Sequence, residues 1–236
     1  MPATRPSVAI QDYLKEIFKL QETGRRATTS TVADALGVTP PSTTAMLKRL
    51  ASLGLAEHVP YRGVVLTEAG ERVALEVIRH HRLLEQYLAE TLGLPIDALH
   101  VEADLLEHSL SEELEARMDA LLGYPTHDPH GDPIPDRELR IDQQQQRSLA
   151  SLAVGDQATI RRVPDGDPEL LRYLASLSLL PGLNVEVREL APFDGPITIA
   201  TEEGTHAVSR ELAATIGVAC DESAPRAMLE AAASKR

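Results

Sequence analysis

The order of short elements between residues 30 and 66 constrains this chain more than any other feature of its sequence. Val32, Ala33 and Leu36 give one apolar face to a helix over 30–36, and Gly37 breaks it. Thr39 stands as N-cap of the next helix, which runs from Pro40 and Pro41 through Leu53. A proline in the first helical turn leaves no N–H unsatisfied, so the pair marks a start. Met46, Leu47, Leu50 and Leu53 form that helix's apolar stripe. Two apolar runs follow at 56–59 and 63–66, and Pro60-Tyr61-Arg62-Gly63 supplies turn chemistry between them. Two short helices joined by a tight glycine turn suggest helix-turn-helix, and a hairpin directly after them makes a winged helix. Ahead of this unit, Ile10, Leu14, Ile17, Phe18 and Leu20 recur near the helical period and predict a leading helix over 10–21, with Gly24 at its C-cap.

The rest of the chain reads as mainly α with a small β part. Thr67 begins a long helix to about residue 92, with Glu68 and Glu71 in the first turn, where the helix dipole favours them. Further helices are expected over 96–110 and 112–122. Leu75, Ile78, Leu83, Leu84, Leu88 and Leu92 are more apolar than a monomer's surface helix needs, and are read as core plus subunit interface. Pro125, Pro129, Pro133, Pro135 and the run Gln143 to Gln146 then mark a linker. Strands are expected over 158–163, 184–190, 197–200 and 206–208, with a helix over 168–178. The expected division is a winged helix over 1–72, a helical domain over 73–123, a Pro/Gln-rich linker over 124–150, a mainly β domain over 151–221 and a tail over 222–236.

Composition narrows the function classes. The single cysteine, Cys220, allows neither an intramolecular disulfide nor a thiolate-rich metal site. No apolar run approaches the ~20 residues that span a bilayer, and residues 1–7 carry no apolar signal segment. The expectation is therefore a cytoplasmic protein with no membrane partner. The net charge of −13 argues at first against nucleic acid. Its distribution changes that: residues 1–75 hold 9 Lys/Arg against 7 Asp/Glu, so the front of the chain could approach phosphates, although charge alone favours a solvated acidic surface.

Two groups of residues carry chemistry. His81 and Glu85 are four apart on the long helix, and Asp104, Glu107 and His108 fall three and four apart on the next, with His100 one turn before Asp104. Each set projects from one helix face, and Asp12 on the leading helix is a third supplier. Imidazoles and carboxylates converging in this way are the donors that divalent first-row metals prefer. A His–Glu pair at this spacing is more often a solvent-facing ion pair, but one His beside two carboxylates one turn apart calls for a cation. His58, His80 and His206 lack such company and are read as surface or wing residues, and His127 and His130 as loop residues. For DNA, the third helix offers Thr39, Pro41, Ser42, Thr43 and Thr44 at its start and Lys48 and Arg49 further along, with Arg62 at the hairpin tip. No nucleophile motif and no phosphate-binding glycine loop occurs, so no organic cofactor is expected. The rivals are a carboxylate-bridged metallohydrolase and a metal-independent winged-helix regulator.

Several strings resemble the diphtheria toxin repressor family of metal-dependent transcriptional regulators. They are Asp12-Tyr13-Leu14-Lys15-Glu16-Ile17, Thr39-Pro40-Pro41-Ser42-Thr43, Tyr61-Arg62-Gly63, His81-Arg82-Leu83-Leu84-Glu85, Glu102 through His108, and Asp128-Pro129-His130-Gly131-Asp132-Pro133-Ile134-Pro135. The resemblance implies a winged helix, a helical dimerisation domain and a Src-homology-3-like β-barrel domain, and a homodimer that binds double-stranded operator DNA when metal is present. Carried over by position, the primary metal site uses Asp12, Asp104, Glu107 and His108. The ancillary site uses His81, Glu85 and His100, with a third-domain carboxylate from Asp167 or Glu169. Iron-type members place Met and Cys where this chain has Asp12 and Asp104. Oxygen donors suit harder ions, so the resemblance points to Mn2+, with Fe2+ as the alternative and Zn2+ or other divalents binding in vitro. Lys15 stands where manganese-responsive members carry a second carboxylate, which favours separate sites over a close pair. Without metal, Asp12 is expected to repel Asp104 and Glu107 and leave the leading helix mobile.

Overall fold

The computed structural model describes residues 6–59, 63–141 and 147–220. Arg62 and its turn, Gln143 to Gln146 and the tail over 222–236 lie outside the described residues. The described residues fall into two compact units, one drawn from the ranges 1–87, 101–126 and 133–142, the other from 88–100, 127–132 and 143–236. The segments expected as separate winged-helix and helical domains therefore lie largely in one unit.

The first unit begins with α1 (Val8–Glu22), α2 (Thr29–Leu36) and α3 (Pro40–Ser52). A reciprocal capping box starts α2, with the Thr28 hydroxyl accepting from the Thr31 N–H and the Thr31 hydroxyl accepting from the Thr28 N–H. Gly37 ends it in the left-handed conformation at φ 63°, which a residue with a Cβ adopts only at a cost. Thr39 is the N-cap of α3 but its side chain makes no cap bond; the prolines set the start. Strands β1 (Ala56–Val59) and β2 (Gly63–Leu66) pair antiparallel from Ala56 with Leu66 to Val59 with Gly63. Leu14, Ile17, Val32, Leu47, Leu50, Val64 and Leu66 form one core, so α1 and the helix-turn-helix share a single apolar cluster.

Helix α4 (Glu68–Leu92) is followed by α5 (Ile96–Leu106), a 3-10 turn (Glu107–Ser109) and α6 (Glu112–Leu121). The helix expected to reach residue 110 thus leaves the α form at Leu106. The Glu107 carbonyl bonds to His80 Nδ1 at 3.1 Å, and Ser111 caps α6. Leu83, Leu84, Ala103, Leu110 and Met118 make the second core cluster of this unit. On α4 the expected interface leucines Leu83, Leu84 and Leu88 are buried within the chain. Leu92, the last residue of α4, is exposed, as are Val101, Leu105, Leu106, Leu114 and Leu121 on α5 and α6.

The second unit is a six-stranded antiparallel sheet in the order β3-β8-β4-β5-β6-β7. Its strands are β3 (Arg147–Ser148), β4 (Gln157–Arg162), β5 (Asn184–Leu190), β6 (Ile197–Thr201), β7 (Gly204–Val208) and β8 (Gly217–Cys220). Helices α7 (Pro168–Ser176) and α8 (Arg210–Thr215) complete it, over a core that includes Ile160, Leu171, Leu174, Val187, Ile197 and Ile199. Elements β3, α8 and β8 had no counterpart in the sequence reading. Residues 128–132, read as linker, are packed: the Asp128 carboxylate accepts from the His130 and Asp132 N–H groups, each at 2.9 Å, and all three residues are buried. Val163 N–H donates to the His130 carbonyl at 2.9 Å, and Arg162 pairs with Asp132 at 2.8 Å. Among the described residues, no helix is long and apolar enough to cross a membrane.

Candidate metal centre

Three carboxylates and two imidazoles meet where α1 approaches the end of α5 and the 3-10 turn. His108 Nδ1 donates to Gln11 Oε1 at 2.6 Å, and this turns Nε2 toward Asp12 Oδ1, 2.8 Å away. The same Nε2 is 3.2 Å from Glu107 Oε1. One donor atom from each of Asp12, Glu107 and His108 lies within 4.8 Å of the others, a spacing a single ion can span. The set holds oxygens and one imidazole nitrogen and no sulfur, which fits a hard or borderline divalent ion. Burial raises the Asp12 carboxyl above its ordinary range, against the pull of the neighbouring His108.

Asp104 belongs to the same cluster but its bonds run elsewhere. Lys15 donates from Nζ to Asp104 Oδ1 at 2.9 Å and to both Glu107 oxygens, at 2.7 and 2.9 Å. The expected repulsion between Asp12 and the two α5-side carboxylates is therefore answered within the chain, because a lysine on α1 already bridges the helices. His81 donates to Glu107 Oε2 at 2.6 Å and to Glu85 Oε1 at 3.1 Å, and stands 3.2 Å from Asp104 Oδ1. Burial pushes the His81 imidazole down, but hydrogen bonds to Asp104, Glu107 and Glu85 outweigh it and hold it up at about 10. Burial would raise both Glu107 and Asp104, yet the hydrogen bonds and charge of His81 and Lys15 bring each below its ordinary value.

Of the expected ancillary residues, His81 and Glu85 belong to the first unit and His100, Asp167 and Glu169 to the second. Asp167 is the N-cap of α7, its Oδ1 accepting from the Glu169 and Leu170 N–H groups at 2.9 and 3.2 Å. Glu169 is exposed in the first turn of α7. The carboxylate beside His100 is that of Asp165, with Oδ2 3.9 Å from Nδ1. It lies two residues before Asp167.

The contacts of three further residues are not legible in the sequence, although Lys15 is singled out there by its position. Helical spacing alone does not reveal that Gln11 meets His108 or that Lys15 meets Asp104 and Glu107. His80, read as a surface residue, is 3 % exposed, and its Nε2 is 3.0 Å from Glu115 Oε2. The missing signal was its partner's position on another helix.

The DNA-side set divides. Thr39, Pro41, Ser42, Thr44, Lys48 and Arg49 are exposed at or along α3. Thr43 departs from expectation: it is 0 % exposed, 3.3 Å from the Tyr13 hydroxyl, and donates to the Thr39 carbonyl at 3.2 Å. Its hydroxyl holds α3 against α1 and faces away from solvent. Thr44 and Lys48 line a groove of about 390 Å³ with Thr28, Thr29 and His58.

Over 199 residues the chain is 32 % identical to the iron-dependent repressor IdeR of Mycobacterium tuberculosis, covering 79 % of this chain and 86 % of that one. This chain belongs to the iron-dependent repressor family. Within the family, residues 7–64 match the iron dependent repressor N-terminal DNA binding domain and residues 67–136 its metal binding and dimerisation domain. Residues 147–220 match the FeoA domain, the Src-homology-3-like sheet. The diphtheria toxin repressor of Corynebacterium efficiens is 28 % identical over 214 residues, 84 % of this chain and 93 % of that one. A solved manganese-dependent transcriptional repressor in complex with manganese is 38 % identical, with a TM-score of 0.84 over 89 % of this chain and 99 % of that one. The manganese regulator SloR is 29 % identical with a TM-score of 0.75, covering 90 and 98 %. The chain is thus a member of a family of metal-dependent, DNA-binding transcriptional repressors.

Proposed function

We propose that this chain is a manganese-responsive regulator that binds operator DNA as a homodimer. The observation that carries this reading is the convergence of Asp12, from α1, with Glu107 and His108, from the 3-10 turn, in a donor set without sulfur. A bound divalent cation supplies positive charge and directional bonds to those oxygens and to the imidazole nitrogen. Asp12 rides on the helix whose Leu14 and Ile17 share a core with Leu47 and Leu50 of α3. Whatever fixes Asp12 against Glu107 and His108 therefore fixes α3 relative to α5. In a dimer, that sets the separation of the two α3 helices, which must match successive turns of the major groove. Operator affinity and ion affinity are linked reciprocally: a hundredfold gain in one requires a hundredfold gain in the other. Thr39, Pro41, Ser42, Thr44, Lys48 and Arg49 are the proposed DNA contacts, with Asp104 as a fourth primary ligand. His81 and Glu85 are proposed as ancillary ligands offered by the first unit, and His100 as one offered by the second. The exposed Val101, Leu105, Leu114 and Leu121 are the proposed dimer face.

Iron is the second reading, favoured by the iron-dependent relatives. Operator-fragment binding, titrated with manganese, iron and zinc under controlled redox conditions, decides between them. In the same assay His108→Ala is expected to lose metal-stimulated binding while remaining dimeric. Unchanged manganese dependence in that variant would remove His108 from the site.

A further inference from the structure

We propose that Lys15 is a built-in competitor for the metal ion, a tethered cation that occupies Asp104 and Glu107 when the ion is absent and so sets how much ion is needed. This rests on the primary site proposed above. The ammonium reaches three carboxylate oxygens at 2.7 to 2.9 Å, the full donor capacity of a lysine, and the side chain is 12 % exposed. One of those oxygens, Glu107 Oε1, is also the one 3.2 Å from His108 Nε2, at the Asp12 end of the cluster. Lys15 and an ion held by Asp12, Glu107 and His108 therefore draw on the same oxygen atom.

Without the ammonium, the ion-free cluster keeps a carboxylate that is 1 % exposed and has lost its lysine partner. Lys15 thus stabilises the ion-free chain and opposes loading. Helix α1 keeps its place without it, because Ile10, Leu14, Ile17 and Leu20 hold the helix in the core.

The test uses full-length wild type, Lys15→Gln, Lys15→Met and Lys15→Arg. Manganese affinity is read by following free Mn2+ in solution by electron paramagnetic resonance, and thermal midpoints are read with and without manganese. Lys15→Gln and Lys15→Met are expected to bind the first ion about tenfold more tightly, as removal of one like charge from a shared site implies. Their ion-free midpoints should fall and their manganese-induced rise should exceed that of wild type, while Lys15→Arg stays near wild type. A purely structural lysine would lower the ion-free midpoint without tightening binding. Unchanged or weaker manganese affinity in both neutral variants overturns the inference. Should both variants fail to fold even with manganese present, Lys15 is structural and the inference is equally lost. Failure of the underlying site shows differently, as a His108→Ala protein whose manganese affinity matches wild type.

Discussion

The imidazole of His80 meets the backbone carbonyl of Glu107 at 3.1 Å. Its other nitrogen is 3.0 Å from Glu115 Oε2, whose second oxygen accepts from Arg79 Nε at 2.6 Å. Arg79 continues to the Pro135 carbonyl at 2.7 Å and to Asp119 at 2.9 Å. The turn that presents Glu107 and His108 is therefore braced by α4 and α6 through one buried polar network. His80→Ala is expected to destabilise the first unit by about 1–3 kcal/mol, the range for leaving buried partners unsatisfied. Urea unfolding of the metal-free protein measures this. A midpoint equal to wild type would show that the brace carries no load.

The same network gives a pH dependence. Burial would raise the Glu115 carboxyl, but His80 and Arg79 together hold it below its ordinary 4.5. Its pairing therefore stabilises the fold at pH values above 4.5, and this contribution is lost as pH falls through the lower folded value. Glu115→Gln should be less stable than wild type at pH 7, and the gap should narrow as acid is added. Paired urea titrations from neutral to acidic pH check this. A gap that widens in acid would contradict the sign of the shift.

Much of this arrangement was legible in the residues. The helix-turn-helix and its hairpin declared themselves through Gly37, the proline pair and two four-residue apolar runs, because those signals are local. Asp12, Glu107 and His108 were picked out by residue type and spacing, although the spacing was reasoned on one continuous α-helix and Glu107 and His108 sit in a 3-10 turn. What stayed hidden depended on contacts between elements distant in sequence. Thr43 looks like any hydroxyl at a helix start until Tyr13 is placed against it. Strand β8 is four residues long and joins β3 and β4 in the sheet, so no period marks it. The Asp128 to Asp132 loop resembles a linker by its prolines alone, and its packing depends on β4.

That loop yields a sharp stability prediction. Gly131 has φ +89°, and a Cβ there would lie 1.7 Å from the Arg161 carbonyl oxygen. Both the backbone angle and the contact exclude a larger residue, so the loop or β4 must shift. Gly131→Ala is expected to cost about 2–4 kcal/mol in the second unit, through strain at a special backbone position. Calorimetry should show a lower transition for that unit. A wild-type thermogram would mean that the loop relaxes without loss.

Gln11 offers the test most specific to the metal centre. It is buried, its Nε2 donates to the Pro6 carbonyl at 3.3 Å, and its Oε1 holds His108 Nδ1 at 2.6 Å. With Nδ1 committed as a donor, Nε2 is the nitrogen left to face Asp12, 2.8 Å away. An outer partner that fixes the tautomer and ring angle of a ligating histidine typically accounts for 10–100-fold in metal affinity. Gln11→Ala should therefore weaken manganese binding by roughly that factor. Gln11→Glu, which keeps the acceptor, should retain most of it. Isothermal titration of both variants separates orientation from simple packing. Equal losses in the two would assign Gln11 to packing, and no loss in either would show that His108 needs no partner to present Nε2.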